Sequence, residues 1–302
     1  MIENPTIIEL WNEAKEIYQR RKERGRAEFP TGLKFLDDIT DGLHKGEIWV
    51  VAGRVGCGKT SLSLQMANNF AKVGKEVLFL SLEMKGWELM TRLFCEIYDI
   101  DFSDFLHASL PSDFKEKEAK FREYLTGINF EVFEFGYTFE EVQSILKSSY
   151  QGVKPDVIFI DFIQFIDWKR FNDERMALSE YIRKFKELAK LHNIGIVIVS
   201  QVRRLPSGSD YSRPIDLQDL KGTGSLEQMA DKVVLIYKAI DQQAQKTRYF
   251  INLAKNRQGM TIEKEVNFIG KFYRFEEIDF KEVEETAEIF KGKIEYGLPK
   301  YD

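Results

Sequence analysis

Apolar residues along this chain repeat with two different periods. Between positions 6 and 24, Ile7, Leu10, Trp11, Ala14, Ile17 and Tyr18 recur at helical spacing, then a basic end (Arg20, Arg21, Lys22) and a stop at Gly25 follow. From Ile48 onward the pattern becomes short, continuously apolar runs alternating with helical segments: Ile48 to Ala52, Val77 to Leu82, Phe130 to Phe133, Val157 to Ile160, Ile194 to Val199 and Val233 to Tyr237. Strands without a polar face belong to a parallel sheet covered on both sides. Tyr249 to Ala254 and Thr261 to Phe268 are also strands, but the connection Lys255 to Met260 is too short for a crossover. They must pair as an antiparallel hairpin at the sheet edge. The predicted fold class is α/β: a mainly parallel sheet with helices on both faces and an antiparallel C-terminal hairpin edge. Three parts are expected: an N-terminal amphipathic helix in 1–28, the α/β body in 29–280 and a tail in 281–302. The helix buries one stripe, either on its own body or on a neighbouring subunit.

One turn in this pattern carries chemistry. Gly53-Arg54-Val55-Gly56-Cys57-Gly58-Lys59-Thr60, followed by Ser61, fits G-x-x-x-x-G-K-[ST] and lies between an apolar run and a helical pattern, the context the motif requires. Backbone N–H groups of such a loop wrap a polyphosphate, with side chains at Gly53, Gly56 and Gly58 expected to obstruct the wrapping. The helix that starts there points its positive end at the phosphates. Lys59 then reaches the β- and γ-phosphates, and the Thr60 hydroxyl ligates Mg²⁺. The loop predicts an ATP and Mg²⁺ site.

In open α/β sheets ligands sit at the carboxyl ends of the strands. Val77 to Leu82 runs into Glu83, a candidate base for the attacking water. Val157 to Ile160 ends in Asp161, a candidate second Mg²⁺ ligand among apolar neighbours. Ile194 to Val199 closes with Ser200 and Gln201, whose amide can register the γ-phosphate. Lys255 and Arg257, in the hairpin turn, are either solvated charges or cations that reach into a neighbour's nucleotide site. Candidate contacts to a nucleic-acid backbone are Lys169 and Arg170 beyond Asp161, Arg203 and Arg204 beyond Gln201, and Lys221, Gly222 and Gly224. The last lead into Ser225-Leu226-Glu227-Gln228, which reads as a capping box opening a helix.

Composition limits the remaining options. The formal charge of −5 supplies no global attraction to nucleic acid, so any such contact must be local. Two cysteines, Cys57 and Cys95, form no disulfide framework and point to a reducing compartment. His44, His107 and His192 are far apart and suggest no metal site. With no leader sequence or bilayer-length apolar run, the chain reads as cytoplasmic and without a membrane partner.

Together these residues resemble the C-terminal ATPase domain of the DnaB family of hexameric replicative helicases, a RecA-like P-loop NTPase. The resemblance runs from about Phe29 to Glu276. It is carried by Pro30-Thr31-Gly32 with Leu36-Asp37, the phosphate loop, Ser81-Leu82-Glu83-Met84, Ile160-Asp161-Phe162-Ile163-Gln164, Ser200-Gln201, Asp219 to Gln228, and Ala254-Lys255-Asn256-Arg257. It implies Glu83 as catalytic base, Asp161 as the magnesium aspartate, Gln201 as the γ-phosphate sensor and Arg92 as an arginine near the nucleotide. Lys255 and Arg257 would act in trans, and Lys221, Gly222 and Gly224 would line a channel for single-stranded DNA. The N-terminal helix resembles a linker that docks on the next subunit of a homo-hexamer. The implied function is an ATP-dependent DNA helicase motor, with a helicase loader as a further partner. Three departures stand out. Some 28 residues precede the match, which argues against a primase contact, Gly222 stands where the family commonly has an acidic residue, and Arg203-Arg204 replace a more polar pair. The alternative is a RecA-like regulatory or partner-binding ATPase that hydrolyses ATP without unwinding DNA.

Overall fold

The computed structural model describes residues 5–25, 27–134, 138–148, 154–166, 173–203, 213–220, 224–241 and 246–278. An isolated helix, α1 (Ile7–Arg24), opens the chain. The Thr6 hydroxyl accepts the Glu9 N–H at 3.3 Å while the Glu9 carboxylate accepts the Thr6 N–H at 2.6 Å, and Gly25 closes the helix in the left-handed region at φ 65°. No α1 residue is buried; Ile7, Trp11 and Tyr18 stand exposed. Its basic end is tied to the body, with Arg21 and Arg24 facing Asp41 at 3.4 and 3.1 Å.

The Pro30-Thr31-Gly32 turn leads into α2 (Lys34–Thr40) and has a structural explanation. Asp37 accepts the Thr31 N–H and hydroxyl, both at 2.8 Å, and a Cβ on Gly32 would lie 2.0 Å from the Asn69 amide nitrogen. The body then alternates β1 (Ile48–Gly53), α3 (Lys59–Lys72), β2 (Val77–Ser81), α4 (Gly86–Tyr98), α5 (Phe102–Leu106), α6 (Phe114–Thr126), β3 (Phe130–Glu134), α7 (Phe139–Ser148), β4 (Val157–Asp161), α8 (Glu174–His192) and β5 (Gly195–Gln201). It ends with α9 (Gly224–Met229), β6 (Lys232–Asp241), β7 (Lys246–Asn256), β8 (Ile262–Ile269) and β9 (Arg274–Glu277).

Among the described residues the strands form one sheet in the order β3-β2-β4-β5-β1-β6-β7-β8-β9. Pairing is parallel from β3 to β6 and antiparallel from β6 to β9. Every residue of β1, β2 and β4 is buried, as a doubly covered sheet requires. One face packs Phe29, Phe70, Phe79 and Phe159 against α3 and α4; the other packs Ile158, Ile160, Ile196 and Ile198 against Phe139, Tyr181 and Phe185 of α7 and α8.

Three sequence expectations change at the C-terminal side. The antiparallel edge is a four-strand meander, because β6 runs on to Asp241 and pairs antiparallel with β7. Lys255 belongs to β7, opposite Val233, and not to the connection. Helix α9 begins at Gly224, which puts Ser225 inside its first turn where a capping residue was expected. The helix has six residues, and its six-residue length leaves the last carbonyls as open acceptors.

Candidate active site

Gly53 ends β1 between Gln201 of β5 and Ile236 of β6, and α3 begins at Lys59. The three loop glycines serve three different needs, which refines the expectation that all clear room for phosphate. A Cβ on Gly53 would lie 2.4 Å from the Ile236 carbonyl oxygen and 2.5 Å from the Cys57 sulfur. On Gly58, at φ 92°, it would meet the Phe275 ring at 2.7 Å. Gly56 has open space around it and is required only by its φ of 72°. Phe275 is fixed from the other side, since the Gln65 amide of α3 donates to its carbonyl at 2.9 Å and accepts its N–H at 3.0 Å.

Around this loop the strand ends deliver the chemistry. Lys59 Nζ donates to the Arg54 carbonyl at 3.0 Å, across the concavity it has to cover. Arg54 Nη1 in turn donates to the Arg213 carbonyl at 3.0 Å, and Val55 projects from the loop. Cys57 is buried and burial pushes its thiol up, so it packs and does not react. Ser61 is buried in the first turn of α3.

Asp161 closes β4 beside the loop and is 3% exposed. Burial pushes its carboxyl up to about 6, aided by nearby Glu83 and opposed by a hydrogen bond from the Thr60 hydroxyl and by Lys59 and Arg92. Its Oδ1 is buried with no hydrogen-bond partner. A buried carboxylate oxygen left unpaired beside a hydroxyl is the donor set a hard divalent cation completes. Thr60 and Asp161 therefore fit Mg²⁺.

Glu83 is exposed at the exit of β2. The adjoining Leu82 N–H donates to the Asp161 carbonyl at 2.7 Å, which brings the two carboxylates to one place. Gln164, just past Asp161, does the same for Gln201: its amide donates to the Ser200 hydroxyl at 2.8 Å and accepts the Gln201 N–H at 3.4 Å. The guanidinium of Arg92 on α4 lies 4.4 Å from the Tyr273 ring centroid, and its buried Nε has no partner.

These groups line one cleft of about 400 Å³: Gly56, Gly58, Lys59, Thr60, Glu83, Arg92, Asp161 and Gln201, with Phe268 and Tyr273 as an aromatic wall. The wall and Gln164 were missed as site residues. Gln164 was visible only as part of a motif, and the aromatic cluster Phe268, Phe272, Tyr273 and Phe275 was the available signal for the wall. A larger cleft of about 760 Å³ lies under α1, but its Arg24 and Lys75 already pair with Glu28, so size does not mark the chemistry.

Lys255 and Arg257 are not in the cleft. Lys255 pairs with Val233, three residues along β6 from Ile236, which faces Gly53, a separation of roughly 10 Å along the strand. Arg257 lies further still. Both side chains donate to the Gln228 carbonyl at the end of α9, Lys255 at 3.3 Å and Arg257 at 2.7 Å. Among the DNA candidates, Arg203 is exposed and its N–H donates to the Asp219 carbonyl at 2.7 Å, and Gly224 is the first residue of α9. Lys169, Arg170, Arg204, Lys221 and Gly222 lie outside the described residues. Among the described residues no helix is long and apolar enough to cross a membrane.

Residues 28–277 match the family described as DnaB-like helicase C terminal domain. The chain is 29% identical over 238 residues to the replicative DNA helicase DnaB of Helicobacter pylori, covering 77% of this chain and 49% of that protein. It is 29% identical over 262 residues to the Leifsonia xyli replicative DNA helicase DnaB, covering 85% and 57%. It is also 29% identical over 257 residues to a probable plasmid replicative DNA helicase of Chlamydia trachomatis, covering 83% and 55%. The chain thus spans about half the length of these curated relatives. A solved ATPase domain superposes with a TM-score of 0.82 at 23% identity, covering 92% of this chain and all (100%) of that one. A DnaB-like replicative helicase, solved in a study of its interactions with primase, gives 0.77 at 24%, covering 92% and 68%. With the phosphate loop, Asp161 and the sheet order in place, the chain belongs to the DnaB-like helicase C-terminal domain family.

Proposed function

We propose that the protein is an ATP-driven motor that moves along single-stranded DNA as a homo-hexameric ring, and so acts as a replicative-type DNA helicase in the cytoplasm. The observation that carries this reading is the division of the machinery between two edges of one sheet. Lys59, Thr60, Glu83, Asp161 and Gln201 meet at the carboxyl edge, whereas Lys255 and Arg257 lie towards the opposite end of β6, beyond reach of their own cleft. A cleft whose own cations are Lys59 and Arg92, and two further cations that their own cleft does not use, complement each other between subunits.

In this reading the phosphate loop and Lys59 bind the β- and γ-phosphates of ATP, and Arg92 with Tyr273 flanks the nucleotide. When bound, Mg²⁺ at Thr60 and Asp161 neutralises phosphate charge. Glu83 orients a water and takes its proton as the water oxygen attacks the γ-phosphorus and ADP leaves. Lys255 and Arg257 of the neighbour stabilise the charge on the transferring group. The Gln201 side-chain amide, on a backbone held by Gln164, loses its partner when phosphate departs. It begins the stretch that leads through Arg203 and Arg204 to Lys221, Gly222 and Gly224, so the loss reaches the DNA-contacting loops. Lys169 and Arg170 add to the basic track. The exposed stripe of α1 docks on the next subunit, and a loader remains a candidate partner. The regulatory-ATPase reading is not favoured, because the family matched along 28–277 is the helicase one.

The test is ATP hydrolysis by the purified protein with and without single-stranded DNA. DNA is expected to stimulate turnover strongly, and Glu83→Gln to lower it on the order of 10²–10⁴-fold while nucleotide still binds. Turnover indifferent to DNA would favour the regulatory ATPase, and a fully active Glu83→Gln would remove the base assignment.

A further inference from the structure

One carboxylate organises the cations at the far edge of the sheet. Asp231 stands immediately before β6, is 7% exposed, and is not part of the nucleotide cleft. Its Oδ2 accepts the Ile48 N–H at 2.7 Å and the Lys186 ammonium from α8. Its Oδ1 faces Arg257 Nη1 at 3.4 Å. Main-chain bonds repeat both links: the Asp231 N–H donates to the Ile48 carbonyl at 2.8 Å, and the Arg257 N–H donates to the Asp231 carbonyl at 2.9 Å. Ile48 is the first residue of β1, the strand that ends in the phosphate loop.

Charge and geometry both make Arg257 the mobile member of this cluster. Lys186 and Arg257 both pair with Asp231, and Lys255 lies in the field of Asp231, Glu227 and the other two cations, so positive charge is in surplus around Asp231. Lys186 is committed, with Asp231 and the Gly46 carbonyl as its acceptors. The Arg257 side chain is 49% exposed and makes the long contact to Asp231, while its Nη2 keeps the Gln228 carbonyl at 2.7 Å. Burial, and then Arg257, push the Lys255 pKa down, as expected where cations crowd one another. Such a guanidinium can exchange a 3.4 Å carboxylate contact for a phosphate without losing its anchor.

Resting on the in-trans reading above, we propose that Asp231 is the positioning residue for Arg257. It aims the guanidinium out of the sheet edge towards the neighbour's nucleotide, and through the Ile48 N–H it ties that aim to the base of β1, and so to the subunit's own phosphate loop. A ring built this way links each subunit's nucleotide loop to the cation it offers next door.

Mixing variants tests this. Asp231→Asn keeps an oxygen for the Ile48 N–H and removes the charge opposite Arg257. Affinity for a fluorescent ATP analogue should stay within about twofold, while kcat falls on the order of 100-fold, the effect of a misplaced catalytic group. Turnover should recover on mixing with Lys59→Ala protein, because those subunits have no working site yet offer a correctly held Arg257 to an intact one. Asp231→Glu, which keeps the charge but moves it, goes through the same mixing in case the Asn variant fails to fold. Wild-type turnover in Arg257→Ala would overturn the in-trans reading itself. Loss in Arg257→Ala with wild-type turnover in the Asp231 variants would overturn only the positioning role. Inactive Asp231 variants that do not recover on mixing would place the defect in cis and overturn it equally.

Discussion

Two buried carboxylates, Asp161 and Glu96, show how function and stability separate at single residues. Burial pushes Asp161 up to about 6 and Glu96, inside α4, up to about 7, the latter opposed by Lys72 and Arg274. In both cases the folded protein holds its proton more tightly than the unfolded chain. Each group therefore destabilises the fold as pH rises from its ordinary value through its raised one, and fully above that. Asp161→Asn and Glu96→Gln should each raise stability at pH 8 by about 1–3 kcal/mol, a gain that shrinks towards zero near pH 4. Thermal melts at the two pH values check this, and an equal gain at both would contradict burial as the cause. The variants should part in activity: on the proposed Mg²⁺ role of Asp161, whose Oδ1 is buried and unpaired, Asp161→Asn loses Mg²⁺-dependent turnover, whereas Glu96→Gln keeps it because Glu96 is not part of the cleft.

At the level of elements, the central strands were legible because sheet burial writes itself into consecutive residues. β1, β2, β4 and β5 lie within about a residue of the apolar runs, and the polar residues that close three of them, Glu83, Asp161 and Gln201, converge in one cleft. The far side was less legible. The second half of β6, Lys238-Ala239-Ile240, leaves the doubly covered region and loses the continuous apolar signal, so its antiparallel pairing with β7 was missed. The support beneath the phosphate loop was missed for another reason: Phe275 is 217 positions from Gly58, and no local pattern announces such a contact. That contact predicts a coupling. Gly58→Ala meets both a positive φ and the Phe275 ring, and Phe275→Leu removes the ring edge at a loss of packing. The double variant should be less destabilised than the sum of the singles by about 1 kcal/mol, read from a denaturant double-mutant cycle. Strict additivity would mean that the φ of Gly58 alone, and not the ring, demands glycine.

At the scale of the whole molecule, one apolar surface stands exposed. Ile7, Trp11 and Tyr18 are 86%, 63% and 61% exposed along α1, while the other end of that helix is pinned to the body through Arg21, Arg24 and Asp41. A helix held at one end, capped at both, and apolar along an exposed stripe has the form of an element that a partner surface covers. If the cover is the next subunit and Arg257 acts in trans as proposed, assembly and chemistry must fail together. Trp11→Glu places a charge in that stripe without touching a buried residue. It should leave the melting temperature of the dissociated subunit unchanged and shift sedimentation from rings to smaller species. Specific turnover should then fall with dilution far more steeply than in the parent, as expected when the working site is shared between subunits. Nucleotide binding should persist, since the cleft of Lys59, Thr60 and Asp161 belongs to one chain. Unchanged sedimentation would show that α1 is not the docking element. Dispersed subunits with undiminished turnover would show that the site is complete within one chain, and Lys255 and Arg257 would then be ordinary surface charges.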